Sequence, residues 1–361
     1  MLTNLLRTSP VGRLARQLRW SLAKRPAQSA LTGRVSVQSA PAMGESNAPA
    51  PWVVRVENHS RRVWSRTGPD AVKLRAQWVA RTGSAFGAPV ETALPRTLLP
   101  GDWADLTIPV KGPGAVGDFA LEWSLVADWS EGETPSTRTA VPVTFPRAID
   151  IDYHHVYATA DLAKNSWWVV GAYHSQEEYQ KSAASRRGML IENGLTPDSR
   201  VLDIGCGTGQ MAMALEGYLS DRGAYYGTDI GREGIEFARR TYRRPNFHFA
   251  VGEMTRVPFP TSAGPFDIAI YFSVFTHTFV DESVLLLAET KRLMRPGGAV
   301  IADIIVSDLV ERGAGNRGQM WVNREHFVRL AAALGFEAHE IATFPWADGA
   351  VRVMFRFVLA A

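Results

Sequence analysis

The segment from Val201 to Gly209 constrains the fold of this chain more than any other. It begins with the apolar run Val-Leu-Asp-Ile, continues as Gly-Cys-Gly-Thr-Gly, and is followed by residues 210–219, which are suited to a helix. A strand, a glycine turn and a helix together form the nucleotide-binding arrangement of parallel α/β sheets. Glycine is needed in such a turn because the backbone must bend sharply and approach a ligand closely.

The spacing of this turn narrows the class of ligand. Its glycines follow a G-x-G-x-G pattern rather than G-x-G-x-x-G, and an acid, Asp203, precedes them within the strand. The longer pattern belongs to sites that hold the pyrophosphate of a dinucleotide. The sequence therefore points away from a dinucleotide as the ligand.

The pattern of strand, turn and helix repeats after Arg200, which predicts a parallel sheet covered by helices. Further strands are expected at residues 224–228, 246–251, 266–273 and 299–305. In this order the landmarks resemble the class I methyltransferases over about residues 165–360. The resemblance implies a Rossmann-like α/β fold, with seven mostly parallel strands and helices on both faces, at residues 200–361.

The resemblance also implies S-adenosylmethionine (SAM) as the cofactor. In that family the glycine turn lies against the methionine moiety and the ribose of SAM. The acid at the position of Asp203 binds the amino group of the cofactor's methionine moiety, directly or through water. Asp229 would accept the ribose hydroxyls, because a carboxylate at the end of a strand can accept two hydrogen bonds. Glu253, where the family more often has Asp, would lie near the adenine, with Met254 on its face. The predicted cofactor-binding residues are Asp203, Gly205, Cys206, Gly207, Thr208, Gly209, Asp229, Ile230, Glu253 and Met254.

The acceptor is expected beside the segment that follows the fourth strand. His277 is the candidate general base there, because imidazole titrates near neutrality; a structural histidine at the start of a helix is the alternative. Tyr173 and His174 are predicted to contact substrate, since they belong to an aromatic, imidazole-rich lead-in at residues 148–199. Ordinary helix packing is the alternative for these two. No metal is predicted, because the histidines lack acidic companions at ligand spacing.

Residues 52–147 have a different sequence pattern. Five segments alternate apolar and polar residues, with Pro-Gly and Gly-Pro pairs between them, which predicts an antiparallel β-sandwich. The stretch from Gly117 to Val126 resembles the immunoglobulin-like accessory domains of some glycan-related enzymes. In the lead-in, Ser175 is predicted to cap a helix that ends near Asn193-Gly194.

Residues 1–51 are predicted to be a basic amphipathic tail and a linker, the linker from residue 26. The first 44 residues contain seven Lys or Arg and no acid, whereas the remainder holds 32 basic and 36 acidic residues. A nucleic-acid partner is therefore not expected. Residues 1–25 fit contact with an anionic membrane surface, an organelle transit peptide or a disordered tail. With one cysteine and no long apolar run, the chain is expected in the cytoplasm, either free or peripheral to a membrane.

These features predict a SAM-dependent methyltransferase that methylates a hydroxyl of a glycan or small molecule. An N- or C-methyltransferase of a metabolite or lipid is one alternative. A non-catalytic binding or scaffold protein with a methyltransferase-like domain is the other. The Asn/Asp-Pro-Pro-Tyr/Phe type of motif is absent after the fourth strand, which disfavours methylation of adenine in nucleic acid. The sequence gives no signal for the oligomeric state.

Overall fold

The computed structural model of the chain describes residues 31–130, 134–169, 171, 173–347 and 349–360. The chain divides into two compact units, with the boundary between Thr144 and Phe145. The predicted amphipathic tail, residues 1–25, lies outside the described residues. Within the described residues, no helix has the length and apolar character needed to cross a membrane.

The N-terminal unit consists of strands in two sheets. Its strands are β1 (Gly33–Ser39), β2 (Gly44–Glu45), β3 (Pro49–Asn58), β4 (Lys73–Ala80), β5 (Ala85–Ala93), β6 (Trp103–Lys111), β7 (Gly117–Val126) and β8 (Ser136–Thr144). One sheet has the order β1-β3-β6 and the other has the order β2-β8-β7-β4-β5. All pairs are antiparallel except β2 with β8.

Alternate residues of both sheets meet in one apolar core. Trp52 and Val54 of β3 are buried in the same cluster as Leu121 and Trp123 of β7. The rings of Trp52 and Trp123 lie 5.8 Å apart. Because strands such as β6 and β7 bury every second residue, the two sheets pack face to face as a sandwich.

The sandwich begins earlier in the chain than predicted. All five alternating segments are strands, but β1 and the start of β3 lie within residues 26–51, which were predicted to be a linker. That prediction is wrong for these residues. Val35 is the one buried residue of β1, and β5 has none, so neither strand shows a clear apolar alternation.

The C-terminal unit is an α/β structure. Its helices are α1 (Tyr153–Thr159), α2 (Leu162–Asn165), α3 (Gln176–Glu192), α4 (Gln210–Glu216), α5 (Arg232–Thr241), α6 (Val280–Lys291) and α7 (Arg324–Ala333). Its strands are β9 (Arg200–Ile204), β10 (Ala224–Asp229), β11 (Phe247–Val251), β12 (Phe266–Tyr271), β13 (Met294–Ser307), β14 (Gly313–Asn316), β15 (Gln319–Val322), β16 (Phe336–Pro345) and β17 (Ala350–Leu359).

Five of these strands form a parallel sheet in the order β11-β10-β9-β12-β13. Strand β17 pairs antiparallel with β13, and β16 pairs antiparallel with β17. The sheet has nine strands rather than the predicted seven, because the short hairpin of β14 and β15 joins the end of β13. Strands of four residues are too short to show a period in the sequence.

Helices cover both faces of this sheet. On one face Val201 and Ile270 belong to a buried cluster with residues of α3, α4 and α5. On the other face Leu202 and Tyr271 belong to a cluster with residues of α6 and α7. Strands buried on both faces are apolar along most of their length, as parallel strands usually are. The carboxyl ends of the parallel strands therefore meet at one edge, where the connecting loops lie.

The longest lead-in helix begins and ends where the sequence predicts. The Ser175 hydroxyl accepts a hydrogen bond from the Glu178 backbone N–H at 3.2 Å, which caps α3. Asn193 ends the helix, and Gly194 follows with a φ of +103°. Glycine is favoured there because other residues rarely adopt this conformation.

Candidate cofactor and active site

A cavity of about 1120 Å³ lies at the carboxyl edge of the parallel strands. Its wall includes Gly205 after β9, Asp229 at the end of β10, Glu253 after β11 and Ser273 after β12. The lead-in segment contributes further wall residues, namely Asp150, Ile151, Asp152, Tyr153, His154, Val156, Tyr157, Trp168, Val169 and Gly171. The carboxyl edge is where open α/β sheets bind their ligands.

The turn after β9 has a backbone that favours glycine. Gly205, Gly207 and Gly209 have φ values of +74°, +57° and +95°. A Cβ at Gly205 would also lie 2.5 Å from the Val274 Cγ2 atom. Conformation and space therefore both require glycine at position 205.

Gly205→Ala is expected to destabilise the protein by about 1–3 kcal/mol, because alanine at positive φ is strained and overlaps Val274. Gly188→Ala is the matched control, since Gly188 lies inside α3 with no atom within 4 Å of its added Cβ. That control should stabilise the protein by about 0.5–1 kcal/mol. Urea unfolding of both variants measures the difference. Equal stability of Gly205→Ala and the unchanged protein would show that the turn is not tightly constrained.

Asp229 connects the glycine turn to the next helix. Its Oδ2 accepts a hydrogen bond from the Gly207 N–H at 2.9 Å, and its Oδ1 accepts one from the Gly231 N–H at 2.8 Å. Burial raises the pKa of Asp229, and these N–H donors oppose that rise. A carboxylate can accept about four hydrogen bonds. Asp229, which lies on the cavity wall, therefore has acceptor capacity left for a ligand.

Tyr157 of α1 packs over the start of α5, close to Asp229. A Cβ at Gly231 would lie 2.2 Å from the Tyr157 ring, and one at Gly234 would lie 2.9 Å from it. Because these two glycines have no side chains, the buried Tyr157 ring can pack directly against the start of α5. Burial raises the pKa of Tyr157, and the nearby charge of Asp229 adds to that rise.

The two predicted substrate residues lie elsewhere. Tyr173 and His174 do not line the cavity. The Tyr173 hydroxyl lies 2.9 Å from the Ser182 hydroxyl and accepts a hydrogen bond from the Gln210 amide at 3.0 Å. His174 is exposed. In the lead-in, α1 and the segment around Trp168 form this wall, so a contact of Tyr173 or His174 with substrate stays a prediction.

Asp203 is buried behind the turn. The Tyr225 hydroxyl donates a hydrogen bond to its Oδ2 at 2.5 Å. Burial raises the pKa of Asp203 to about 7, while the Tyr225 hydrogen bond and the Arg186 charge oppose the rise. The cavity wall contains the neighbouring Ile204 and Gly205, but not Asp203. A contact between Asp203 and the cofactor therefore stays a prediction.

This raised pKa predicts a pH-dependent stability. The ordinary pKa of Asp is about 3.9, so between about pH 4 and pH 7 the unfolded chain ionises Asp203 while the folded protein keeps it protonated. The contribution of this group is thus lost as pH rises through that window. Asn does not titrate. The stability of Asp203→Asn minus that of the unchanged protein should grow from pH 4 to pH 7 by an amount on the order of 2–4 kcal/mol.

Urea unfolding at several pH values, without cofactor, measures this difference. Asp281→Asn is the control, because Asp281 is exposed in the first turn of α6. A stability difference for Asp203→Asn that does not change with pH would contradict the raised pKa.

The predicted cofactor residues fall into two groups. Gly205, Asp229, Ile230, Glu253 and Met254 line the cavity. The others lie behind the wall and build the turn, namely Asp203, Cys206, Gly207, Thr208 and Gly209.

Two of the residues behind the wall, Cys206 and Thr208, join the turn to neighbouring segments. The Cys206 N–H donates a hydrogen bond to the Thr228 carbonyl at 3.0 Å, and the Thr208 hydroxyl donates one to the Ser166 carbonyl at 2.8 Å. Cys206 is the single cysteine of the chain, and it is buried and unbridged. These contacts hold the turn between β10 and the lead-in segment.

His277 lies on the cavity wall, in the segment between β12 and α6. Its Nδ1 is 2.8 Å from the Arg317 carbonyl oxygen, so Nδ1 carries the proton and Nε2 has the free lone pair. Burial lowers the pKa of His277, which favours the neutral ring. The Tyr153 ring lies 5.2 Å away and meets the imidazole edge to face.

The sequence analysis did not predict a cluster of three polar residues near His277, namely Ser273, Asp303 and Arg352. Arg352 donates from Nε to Asp303 Oδ2 at 2.7 Å and from Nη2 to the Ser273 hydroxyl at 2.7 Å. Asp303 is only 1% exposed. Its Oδ1 accepts a hydrogen bond from the Ser273 N–H at 2.7 Å, and Ser273 has a φ of +61°. A lone acid in the apolar run of β13 was the signal available in the sequence, as it was for Asp203.

Comparison with known proteins supports the sequence prediction for part of this unit. Residues 201–298 match the protein family described as a methyltransferase domain. The chain is 32% identical over 99 residues to the fatty-acid O-methyltransferase of Mycolicibacterium smegmatis, covering 27% of this chain and 34% of that protein. It is 34% identical over 118 residues to the demethylmenaquinone methyltransferase of Beutenbergia cavernae, covering 32% of this chain and 45% of that protein. The match thus spans between a third and a half of these relatives.

Among solved structures, the magnesium protoporphyrin IX methyltransferase of Synechocystis PCC 6803 with bound SAM aligns at a TM-score of 0.42 and 15% identity. It covers 58% of this chain and 98% of that chain. The family match supports a methyltransferase domain over residues 201–298, which is part of the domain predicted at residues 200–361.

Proposed function

We propose that the chain is a SAM-dependent methyltransferase that methylates a hydroxyl oxygen of a small molecule or glycan. The position of Asp229 carries this proposal. It lies at the end of β10, on the wall of the cavity, with each oxygen already fixed by a backbone N–H. The remaining acceptor capacity of the carboxylate suits the two hydroxyls of a ribose.

The other wall residues fit the rest of the cofactor. Gly205 has no side chain to block a ligand that lies along the turn. Glu253 and Met254 follow β11, where an acid and an apolar side chain suit the adenine amino group and ring face. When bound, SAM supplies a methyl group on a positively charged sulfur.

The chain itself must place the acceptor and receive its proton. We assign His277 to the second task. The Arg317 carbonyl fixes the tautomer, and the lowered pKa keeps Nε2 available as a base at neutral pH. With SAM bound, Nε2 would accept the hydroxyl proton as the oxygen takes the methyl group, the sulfur–methyl bond breaks and S-adenosylhomocysteine leaves.

The names of the relatives differ in acceptor, since one is a fatty-acid O-methyltransferase and the other a demethylmenaquinone methyltransferase. The choice of a hydroxyl therefore depends on His277 rather than on those relatives. We propose in addition that the N-terminal sandwich is an immunoglobulin-like accessory domain that binds the acceptor or a partner. Cytoplasmic location and contact of residues 1–25 with an anionic membrane surface stay predictions.

The test is a transfer assay with the full chain, methyl-labelled SAM and a panel of hydroxylated glycans, phenols and hydroxy acids. Release of S-adenosylhomocysteine and a labelled methyl ether would support the proposal. A product methylated at nitrogen or carbon would establish the metabolite or lipid alternative instead. Saturable cofactor binding without transfer to any member of the panel would favour the scaffold alternative.

A further inference from the structure

The guanidinium group of Arg352 is held in place from one side. Its Nε and Nη2 atoms donate hydrogen bonds to Asp303 and Ser273. Both Asp303 oxygens are in turn occupied, Oδ1 by the Ser273 N–H and Oδ2 by Arg352. The orientation of Arg352 is thus set by the protein, so little side-chain entropy remains to be lost when a ligand binds.

The opposite side of the guanidinium is open to the cavity. Arg352 lines the cavity and its side chain is 24% exposed. Its Nη1 atom has no hydrogen-bond partner within the part of the chain that the structure describes. Arg317, on the same wall, differs because its Nη1 and Nη2 both donate to the Glu282 carboxylate, at 3.0 and 2.7 Å.

The surroundings of Arg352 suit a ligand with an apolar body. The Trp346 ring lies 5.4 Å from the Arg352 Cζ atom, and Ile305 is on the same wall. His277 is close enough that the charges of Asp303 and Arg352 act on its pKa in opposite directions. An open arginine donor, an indole ring and the candidate base are therefore found together.

We propose that Arg352 binds a carboxylate on the acceptor, so that the substrate is an organic acid rather than a neutral glycan. The inference rests on the methyltransferase proposed above and specifies its substrate class. A guanidinium N–H edge binds a carboxylate through charge-assisted hydrogen bonds. Asp303 does not compete for Nη1, because its contacts with Arg352 are made through Nε and Nη2 and it lies behind the wall.

The test uses matched pairs of acid and neutral probes. Benzoate with benzamide, and dodecanoate with dodecanol, are titrated into the full chain with and without saturating S-adenosylhomocysteine. We expect each acid to bind about tenfold or more tightly than its neutral partner. Equal affinity within both pairs would overturn the proposal. A stronger preference for phenyl phosphate than for benzoate would overturn the choice of a carboxylate.

A double variant tests the role of Arg352 directly. Arg352→Gln alone would leave Asp303 as a buried unpaired charge, which is strongly destabilising. Arg352→Gln combined with Asp303→Asn keeps the buried pair neutral and should lose the preference for acids. Arg329→Gln combined with Glu325→Gln is the matched control, because it also removes one base and one acid from an ion pair, here exposed on α7, and should keep that preference.

The cofactor titration separates the two possible failures. The double variant should bind S-adenosylhomocysteine as tightly as the unchanged protein. An affinity that falls tenfold would mean that Arg352 serves the cofactor, which would overturn the inference. If the unchanged protein binds the acids selectively but no S-adenosylhomocysteine, the proposed methyltransferase fails while the carboxylate site stands.

Discussion

Replacing Asp229 with alanine is expected to weaken SAM binding by about 100-fold or more, which corresponds to roughly 2.7 kcal/mol. The variant removes the carboxylate proposed to accept both ribose hydroxyls. It also removes the partner of the Gly207 and Gly231 N–H groups, which position the glycine turn and the start of α5. Calorimetric titration with SAM and with S-adenosylhomocysteine measures the loss.

Loss of folding must be separated from loss of binding. Leaving two N–H groups without their acceptor costs stability, on the order of 1–3 kcal/mol for each buried group. Asp229→Asn keeps one side-chain acceptor and should give an intermediate affinity. Asp281→Ala, at an exposed acid, should leave affinity unchanged. A cooperative thermal unfolding transition would show that Asp229→Ala is folded. If this folded variant still binds SAM as tightly as the unchanged protein, the cofactor does not bind at Asp229.

Replacing His277 with alanine is expected to lower kcat by about 100-fold to 10,000-fold with the affinity for cofactor unchanged, because removal of a general base affects the transfer step. The unchanged protein should lose activity as pH falls. Since burial lowers the pKa of His277, the acid limb should lie below the ordinary histidine value of about 6.5. Above that pKa His277 is neutral, so a further rise in pH should not change the rate through this residue.

Initial rates from pH 5 to pH 8 at saturating cofactor test this prediction. His339→Gln is the matched control, since His339 is exposed on β16 and does not line the cavity. A His277→Ala variant that is less stable but retains its kcat and its acid limb would identify His277 as a structural histidine, held by the Arg317 carbonyl.

The glycine turn and Asp229 could be predicted because their signals are local. A turn of alternating glycines after an apolar strand specifies its own backbone, and an acid at the end of the next strand reaches the same edge of the sheet. Ser175 and Gly194 mark the ends of α3 for the same reason, since capping depends on neighbouring residues. Five strands of the sandwich were visible because each buries every second residue.

The residues that surround the proposed acceptor site could not be predicted from local signals. Arg352 is 49 residues from Asp303 and 79 residues from Ser273 in the chain, and each contact depends on the pairing of β13 with β17. The position of Tyr173 and His174 outside the cavity wall could not be predicted for a related reason. Many residues of the lead-in could face the cavity, and contacts such as that of Tyr157 with Gly231 join residues that are distant in the chain.

The measurement that bears most directly on the proposed function is a calorimetric titration of the full, folded chain with SAM and with S-adenosylhomocysteine. The structure predicts saturable binding of both at a single site, because one cavity contains Gly205, Asp229, Glu253 and Met254. No heat of binding at millimolar cofactor, from protein shown to be folded, would contradict the assignment of this cavity to SAM.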